Sequence, residues 1–224
     1  SGTELTVRFH SDEAGRWTTV LGQPQQEIGP LDFDAALSSD SSGLMSIKAK
    51  ATQGQSTLDV EGALGHLPDT LQPDLNIVFK SPDPSKLAAI AGLQRIPAAP
   101  LTIQGRFGLN GELVQLGNVR VDLAGDLADI DGTINLSNHF AGSKLNLRVD
   151  VKNAGNLGRL FGREGLPDQP MKLGAEVRPD GKGLAFKVTD GNLGDIQLEL
   201  DGRIPDLEQP LVLDGHFGIN LPRV

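Results

Sequence analysis

Several stretches of this chain alternate strictly between apolar and polar residues. Residues 145 to 151 read LNLRVDV, with leucine or valine at each odd position and a polar residue at each even one. Successive side chains of a β-strand point to opposite faces, so this period of two predicts strands with one apolar face. The same alternation occurs in LTIQGRF from 101, NVRVDL from 118, IQLEL from 196 and VLDGHFGINL from 212. We expect about thirteen strands in a twisted antiparallel sheet.

The pattern recurs at an interval of seventy residues. The sequence Asp59-Val60-Glu61-Gly62 returns as 129–132, DIDG, and as 199–202, ELDG. Backbone-breaking residues keep the same spacing, namely Pro30, Pro100 and Pro170, and Gly22, Gly92 and Gly162. Self-similarity at a fixed period indicates a repeat architecture. We predict one elongated array over residues 1–224, in phases 1–30, 31–100, 101–170 and 171–224.

Each repeat is also predicted to contain a short helix. In SPDPSKLAAIAGL from 81, Asp83 can cap the helix, Pro84 fits its first position and Gly92 can end it. Copies occur in HSDEAGRWTTVLG from 10 and DVKNAGNLGRLFG from 150, with Glu13 and Asn153 at the capping position. Helices of two turns are not stable alone, so each needs an apolar residue packed on the sheet. The residues expected to do so are Trp17, Leu87 and Leu157.

Composition and charge argue against two classes of partner, nucleic acids and anionic membranes. The net charge is −9, from 29 acidic and 20 basic residues, so the chain would repel nucleic acid and anionic membrane surfaces. It has no cysteine. The longest apolar run is LAAIAGL at 87–93, whereas a membrane span needs about 20 residues. We find no signal peptide, interpret Ser1-Gly2 as an expression scar and expect the natural amino terminus to be missing.

The sequence contains no pattern typical of an enzyme. The histidines, His10, His66, His139 and His216, share no repeat phase and no metal-ligand spacing, which favours isolated surface histidines. Nucleophile-elbow, phosphate-loop, dinucleotide-binding and zinc-protease motifs are absent from the sequence. We therefore predict a protein without catalytic activity, metal or cofactor.

One acidic pair, Asp129 and Asp131 in ADIDGTINL, resembles a candidate site and needs a separate interpretation. A calcium loop requires further ligands and a late glutamate, which this segment lacks. A glycosidase pair faces across a cleft rather than along one strand. In a strand both aspartates share the face opposite Ile130 and Ile134, so we expect them to face solvent.

The apolar face is the feature that most needs an explanation. About thirteen strands spaced ~4.8 Å apart would form a ladder roughly 60 Å long. An apolar face of that size exceeds what soluble monomers expose, and three short helices cannot cover it. The sheet either packs on itself as a dry sandwich or curls into a trough that holds a ligand. Periodicity does not separate the two.

These features resemble the periplasmic region of the AsmA-like family, which includes TamB and YhdP of Gram-negative bacteria. The resemblance is carried by Gly-rich alternating strands, best seen in LTIQGRFGLNGELVQLGNVRVDLAGDLADIDGTINL from 101, and by the Pro/Asp-led helix at 81–93 or GINLPRV from 218. It implies an all-β fold with a few short helices, in which an elongated sheet of ~70-residue repeats curls into a hydrophobic trough. It also implies an inner-membrane anchor upstream and phospholipid transfer through the periplasm toward the outer membrane.

On this reading the partners are phospholipid acyl chains, with no catalytic residues. The residues expected to line the groove are Ile103, Phe107, Val119, Val121, Leu123, Ile130, Ile134, Leu145, Leu147, Val149, Phe186, Ile196, Leu198 and Phe217. The alternative is a dry β-sandwich scaffold that recruits outer-membrane assembly proteins. LPRV at the end of the chain occupies the same repeat position as SPDP, which precedes a predicted helix. We therefore expect the chain to be a fragment that stops before a further helix, with open edge strands that can pair with a second copy.

Overall fold

The computed structural model describes residues 2–13, 29–66, 70–85, 96–137, 140–160, 165–180, 182–206 and 214–220. Thirteen antiparallel strands account for most of these residues, which confirms the predicted all-β antiparallel fold. The chain divides into two compact units, Ser1–Gly108 and Leu109–Val224. Within each unit the order of strands in the sheet follows the order in the chain.

The first unit contains six strands connected as a meander. Their bounds are β1 Glu4–Ser11, β2 Leu31–Ser39, β3 Leu44–Gln53, β4 Ser56–His66, β5 Thr70–Ser81 and β6 Leu101–Asn110, of which the last two residues belong to the second unit. Each strand pairs antiparallel with the next. One β-bulge interrupts the β3–β4 register at Met45 and another the β4–β5 register near Gly65.

The described residues of the second unit form seven strands, each paired antiparallel with the next, and one helix. The bounds are β7 Leu113–Leu123, β8 Asp126–Asn135, β9 Lys144–Val151, α1 Ala154–Leu160, β10 Met171–Asp180, β11 Gly183–Leu193, β12 Ile196–Ile204 and β13 Asp214–Asn220. A two-residue turn, Ala124-Gly125, joins β7 to β8 with φ of 54° and 85°. Positive φ at both central residues suits the right-handed twist of a hairpin.

Helix α1 forms where the third helix was predicted. Asn153 caps it, because its Oδ1 accepts a hydrogen bond from the N–H of Asn156 at 3.0 Å. Ala154 is fully buried, and its N–H donates to the carbonyl oxygen of Gln169 at 2.8 Å. Leu157 is half-buried. The structure therefore tests the helix prediction at the third helix, where Asn153 is the cap and Leu157 is partly covered.

The other two predicted helices fall largely outside the described residues. Asp83 does accept hydrogen bonds from the N–H of Ser85 at 3.0 Å and from its hydroxyl at 2.6 Å, as a capping residue would. Trp17, Leu87, Gly22 and Gly92 lie outside the described ranges, as do Gly162 and the end of the chain from 221. Helix formation at these two positions therefore stays a prediction.

The strands of the two units begin at positions separated by seventy residues. β2, β6 and β10 start at 31, 101 and 171, and β4, β8 and β12 start at 56, 126 and 196. The register is also matched, since Gly62 pairs with Leu75 on β5 and Gly132 pairs with Leu145 on β9. A Cβ atom at either glycine would collide with the carbonyl oxygen of the partner strand, at Asp74 or Lys144. Glycine at these two positions permits the same close approach of two strands.

Candidate functional site

The first unit has one sheet face on which apolar residues are in direct cross-strand register. Directly paired residues of neighbouring strands lie on the same face, so the register defines rows of side chains that run across the strands. We call this surface the apolar face of unit 1. From β1 to β6, one row is Phe9, Phe33, Ala51, Leu58, Phe79 and Ile103; the next is Val7, Ala35, Ala49, Val60, Ile77 and Gly105; the third is Leu5, Leu37, Ile47, Gly62, Leu75 and Phe107.

The second unit has a corresponding surface, the apolar face of unit 2. One row runs through Val121, Ala128, Val149, Leu173 and Gly191 from β7 to β11. The neighbouring row runs through Val119, Ile130, Leu147, Ala175 and Val188. On β12 and β13 the face continues with the pairs Leu198–Ile219 and Leu200–Phe217. No charged residue interrupts either row.

Both apolar faces are partly open among the residues that the structure describes. Leu5 is 55% exposed on the face of unit 1, and Phe217 is 58% exposed on the face of unit 2. Most other members are half-buried. The buried apolar residues in the described ranges are few and small, namely Ala35, Val119, Val151, Ala154 and Ala175. A dry sandwich core would bury large side chains completely, and the described residues contain no such side chain.

The structure brings the fourteen predicted groove residues onto these two faces. Ile103 and Phe107 lie on the face of unit 1, and the other twelve lie on the face of unit 2. Val119 differs from the rest because it is only 5% exposed and serves as core rather than as accessible lining. The members of the face on β1 to β5 are not among the predicted groove residues, although LTVRF from 5 and LNIVF from 75 show a similar alternation of apolar residues.

The opposite face of each unit is polar and carries ion pairs across the strands. In unit 1, Nε of Arg8 lies 3.3 Å from Oδ1 of Asp34, and Arg106 binds Asp74 through Nε at 2.6 Å. This ion pair with Arg106 lowers the pKa of the Asp74 carboxyl. Pairs of opposite charge on neighbouring strands support the register and keep this face hydrated.

The polar face of unit 2 has the same character. Nζ of Lys172 lies 3.0 Å from Oδ2 of Asp150. A hydrogen bond from Arg178 and the charge of Lys144 lower the pKa of Glu176. These contacts are exposed, so each contributes little to stability, and their main effect is on register and solubility.

Asp129 and Asp131 lie on the polar face opposite Ile130, as the sequence predicts, but they are not freely exposed to solvent. Both are half-buried, and each has a specific partner. Asp129 binds Arg120 at two points, and this contact lowers the pKa of the Asp129 carboxyl. Oδ1 of Asp131 accepts a hydrogen bond at 2.6 Å from the N–H of Asn118. Asn118 sits in a β-bulge of β7 with φ of 50°, so Asp131 stabilises the bulge.

His10 was expected to be an isolated surface histidine, and it is not isolated. Its Nδ1 lies 2.6 Å from Oδ1 of Asp32, and its Nε2 lies 3.1 Å from Oδ1 of Asp12. The hydrogen bond to Asp32, followed by that to Asp12, raises the pKa of the imidazole. The pKa is raised because the two carboxylates stabilise the protonated ring. His139 lies outside the described residues.

In the described ranges, no group of three or more histidine, aspartate or glutamate side chains could hold a metal ion. Among the same residues, no helix is long and apolar enough to span a membrane.

Comparison of the chain with models of protein families, with curated proteins and with solved structures gave no match in any of the three.

Proposed function

We propose that this protein binds the acyl chains of phospholipids on the apolar faces of its two units and carries them without chemical change. The observation that supports this most directly is the open apolar surface, on which rows of aliphatic and phenylalanine side chains remain partly exposed. Large exposed apolar surfaces in soluble proteins mark interaction sites. The resemblance of the sequence to AsmA-like proteins supports the same function, and we propose on that ground that the protein acts in the periplasm of a Gram-negative bacterium.

Energetics favour an acyl chain as the occupant. Burying a methylene group contributes about 0.8 kcal/mol, so a tail of a dozen carbons gains substantially without any directional contact. The rows present methyl and methylene groups with few polar atoms, as in Val121–Ala128–Val149–Leu173. Such a surface selects for apolar chains but not for a particular headgroup.

The proposal includes tandem repeats and a trough. The start positions of β2, β6 and β10 and the matched environments of Gly62 and Gly132 support a unit of seventy residues. The bulges near Gly65 and at Asn118 support curvature, because a bulge bends its strand and increases the local twist. A sheet curved toward its apolar face would surround a tail on three sides.

Native mass spectrometry of the purified protein, loaded with increasing phospholipid, tests the proposal. We expect adducts of the mass of a phospholipid that persist through gel filtration. Val121→Arg should abolish these adducts, since it places a charge on the apolar face of unit 2. Gln115→Arg is the matched control, because Gln115 is an exposed residue of the same strand on the polar face.

Two outcomes contradict lipid binding. A mass without adducts at every lipid load would favour the dry scaffold that recruits protein partners. Equal lipid loading of Val121→Arg and Gln115→Arg would mean that the adducts do not occupy the apolar face.

A further inference from the structure

A cavity in unit 2 is lined mostly by residues of the polar face. Its volume is about 510 Å³, and it is bounded by strands β7 to β11. The lining consists of Arg120, Leu127, Asp129, Arg148, Val149, Asp150, Lys172, Leu173, Gly174, Thr189 and Asp190. Six of these residues carry a full charge, three of each sign. A mixed set of this kind recognises a ligand by charge rather than by apolar contact.

One row of the β-sheet forms the middle of this cavity. In direct register from β7 to β11 the row contains Arg120, Asp129, Arg148, Gly174 and Asp190. Gly174 has no side chain, which leaves a space between Arg148 and Asp190 that is bounded by Oγ1 of Thr189. Strands are ~4.8 Å apart, which separates the Cα atoms of Arg148 and Asp190 by roughly 10 Å.

Most of the charges in the cavity already have partners. Arg120 binds Asp129, with Nε 2.7 Å from Oδ1, and Lys172 binds Asp150. Arg148 has neither a hydrogen bond nor an ion pair within the described residues, and its charge acts on Asp129 only at longer range. Asp190 accepts one long hydrogen bond, 3.3 Å from the side-chain amide of Asn192. One positive and one negative group therefore remain available on opposite sides of Gly174.

We propose that this cavity binds a small zwitterion, with its anionic group on Arg148 and its ammonium group on Asp190. A phosphate or carboxylate accepts two parallel hydrogen bonds from a guanidinium group, and an ammonium group suits a carboxylate. The six charges sum to zero, so a simple anion or a simple cation would satisfy only one of the two groups beside Gly174 and leave the other without a partner. Phosphoethanolamine has the required chemistry, either as a free metabolite or as the headgroup of a lipid.

The charged side chains of the cavity and the side chains of the apolar face of unit 2 alternate along the strands and lie on opposite sides of the β-sheet, and the cavity reaches the apolar row only at Val149 and Leu173. A phospholipid whose tails occupy the apolar face cannot place its headgroup beside Gly174. The zwitterion site is therefore independent of lipid binding, and either proposal can fail alone.

Isothermal titration calorimetry with free phosphoethanolamine at low ionic strength tests the site. We expect saturable binding to the intact chain. Arg148→Gln and Asp190→Asn should each weaken it by about tenfold or more, the effect of losing a charged hydrogen bond. Phosphate alone and ethanolamine alone should bind at least about tenfold more weakly than phosphoethanolamine, because each satisfies one side only.

Two further variants separate recognition from folding. Gly174→Val should fill the gap and abolish binding without altering any charge. A Cβ there would lie 3.1 Å from Oγ1 of Thr189, so a melting curve is needed to show that the variant folds. Arg8→Gln, on the polar face of unit 1, is the matched control and should bind like the unaltered protein.

Several results would overturn the proposal. The first is the absence of saturable binding up to about 10 mM, a range that covers weak ligands. The second is unchanged binding in Arg148→Gln. The third is that phosphate alone binds as tightly as phosphoethanolamine. Binding to vesicles that contain phosphatidylethanolamine, without binding of the free compound, would assign recognition to the lipid tails and likewise refute this site. If the unaltered protein binds both the free compound and the vesicles, and Arg148→Gln binds neither, then the lipid headgroup is one source of the ligand.

Discussion

Arg120 and Asp129 face each other across the β7–β8 hairpin and form a two-point ion pair. Nε of Arg120 lies 2.7 Å from Oδ1 of Asp129, and Nη2 lies 3.0 Å from Oδ2. The two residues are directly paired in the register. Such a contact specifies which residues of the two strands meet, since a slip by one residue would place each charge on the apolar face.

This ion pair predicts a pH dependence. The pKa of Asp129 is lowered by the hydrogen bond from Arg120 first, and by the charge of Arg148 to a smaller extent. A carboxyl whose pKa is lowered on folding stabilises the folded state above its unfolded pKa, about 3.9, and loses that effect as pH falls through the folded pKa. Asp129→Asn should therefore reduce the loss of stability in this acidic range. Urea unfolding of both proteins at a series of pH values measures this difference in stability. If Asp129→Asn has the same pH profile as the unaltered protein, the ion pair does not cause the acid sensitivity.

The bulge at Asn118 predicts different effects for two replacements of Asp131. Asp131→Ala removes the acceptor for the N–H of Asn118 and should cost about 1 to 2 kcal/mol of unfolding free energy. Asp131→Asn keeps an acceptor oxygen and should cost clearly less. Chemical denaturation of both variants is the measurement. Equal losses would show that charge, rather than the hydrogen bond to the bulge, determines the role of Asp131.

The apolar face of unit 2 predicts opposite behaviour for two valines on one strand. Val119 is buried, so Val119→Arg should destabilise the protein by several kcal/mol through an unpaired buried charge. Val121 is half-buried, and Val121→Arg should leave the fold largely intact because a long side chain can extend its charge into water. Thermal melting of both variants compares them. If Val121→Arg unfolds as readily as Val119→Arg, the face is a closed core.

The strands could be predicted from sequence because alternation is a local property. LNLRVDV at 145–151 coincides with β9, and IQLEL begins with β12 at Ile196. The roles of Asp129 and Asp131 could not be predicted, since both depend on which residues lie opposite on β7. The bulge at Asn118 changes that register, and no local pattern reveals it. The exposure of the apolar faces also could not be predicted from the sequence, because a covered face and an open face have the same periodicity.

The turn between β7 and β8 predicts a stabilising substitution. Ala124 has φ of 54°, a conformation that costs an L-residue with a Cβ atom roughly 1 kcal/mol. Asparagine tolerates this conformation and precedes glycine in the most favourable hairpin turns. Ala124→Asn should raise the free energy of unfolding by up to about 1 kcal/mol. Ala128→Asn, on the apolar face of the same hairpin, is a control that should not stabilise.

Gly62 and Gly132 occupy equivalent positions in the two units, so their replacement should lower the free energy of unfolding by similar amounts. A Cβ atom at Gly62 or Gly132 would meet the backbone of the neighbouring strand, and φ is positive at both, 157° and 143°. Gly62→Ala and Gly132→Ala should each cost about 2 kcal/mol or more, because backbone atoms cannot yield as a flexible side chain can. Hydrogen exchange should show each loss in the unit that carries the substitution, at β4–β5 or at β8–β9. Gly43→Ala is the control for positive φ alone, since a Cβ at Gly43 meets nothing within 4 Å. If Gly62→Ala and Gly132→Ala differ widely, or cost no more than Gly43→Ala, then the seventy-residue spacing does not reflect a repeated packing arrangement.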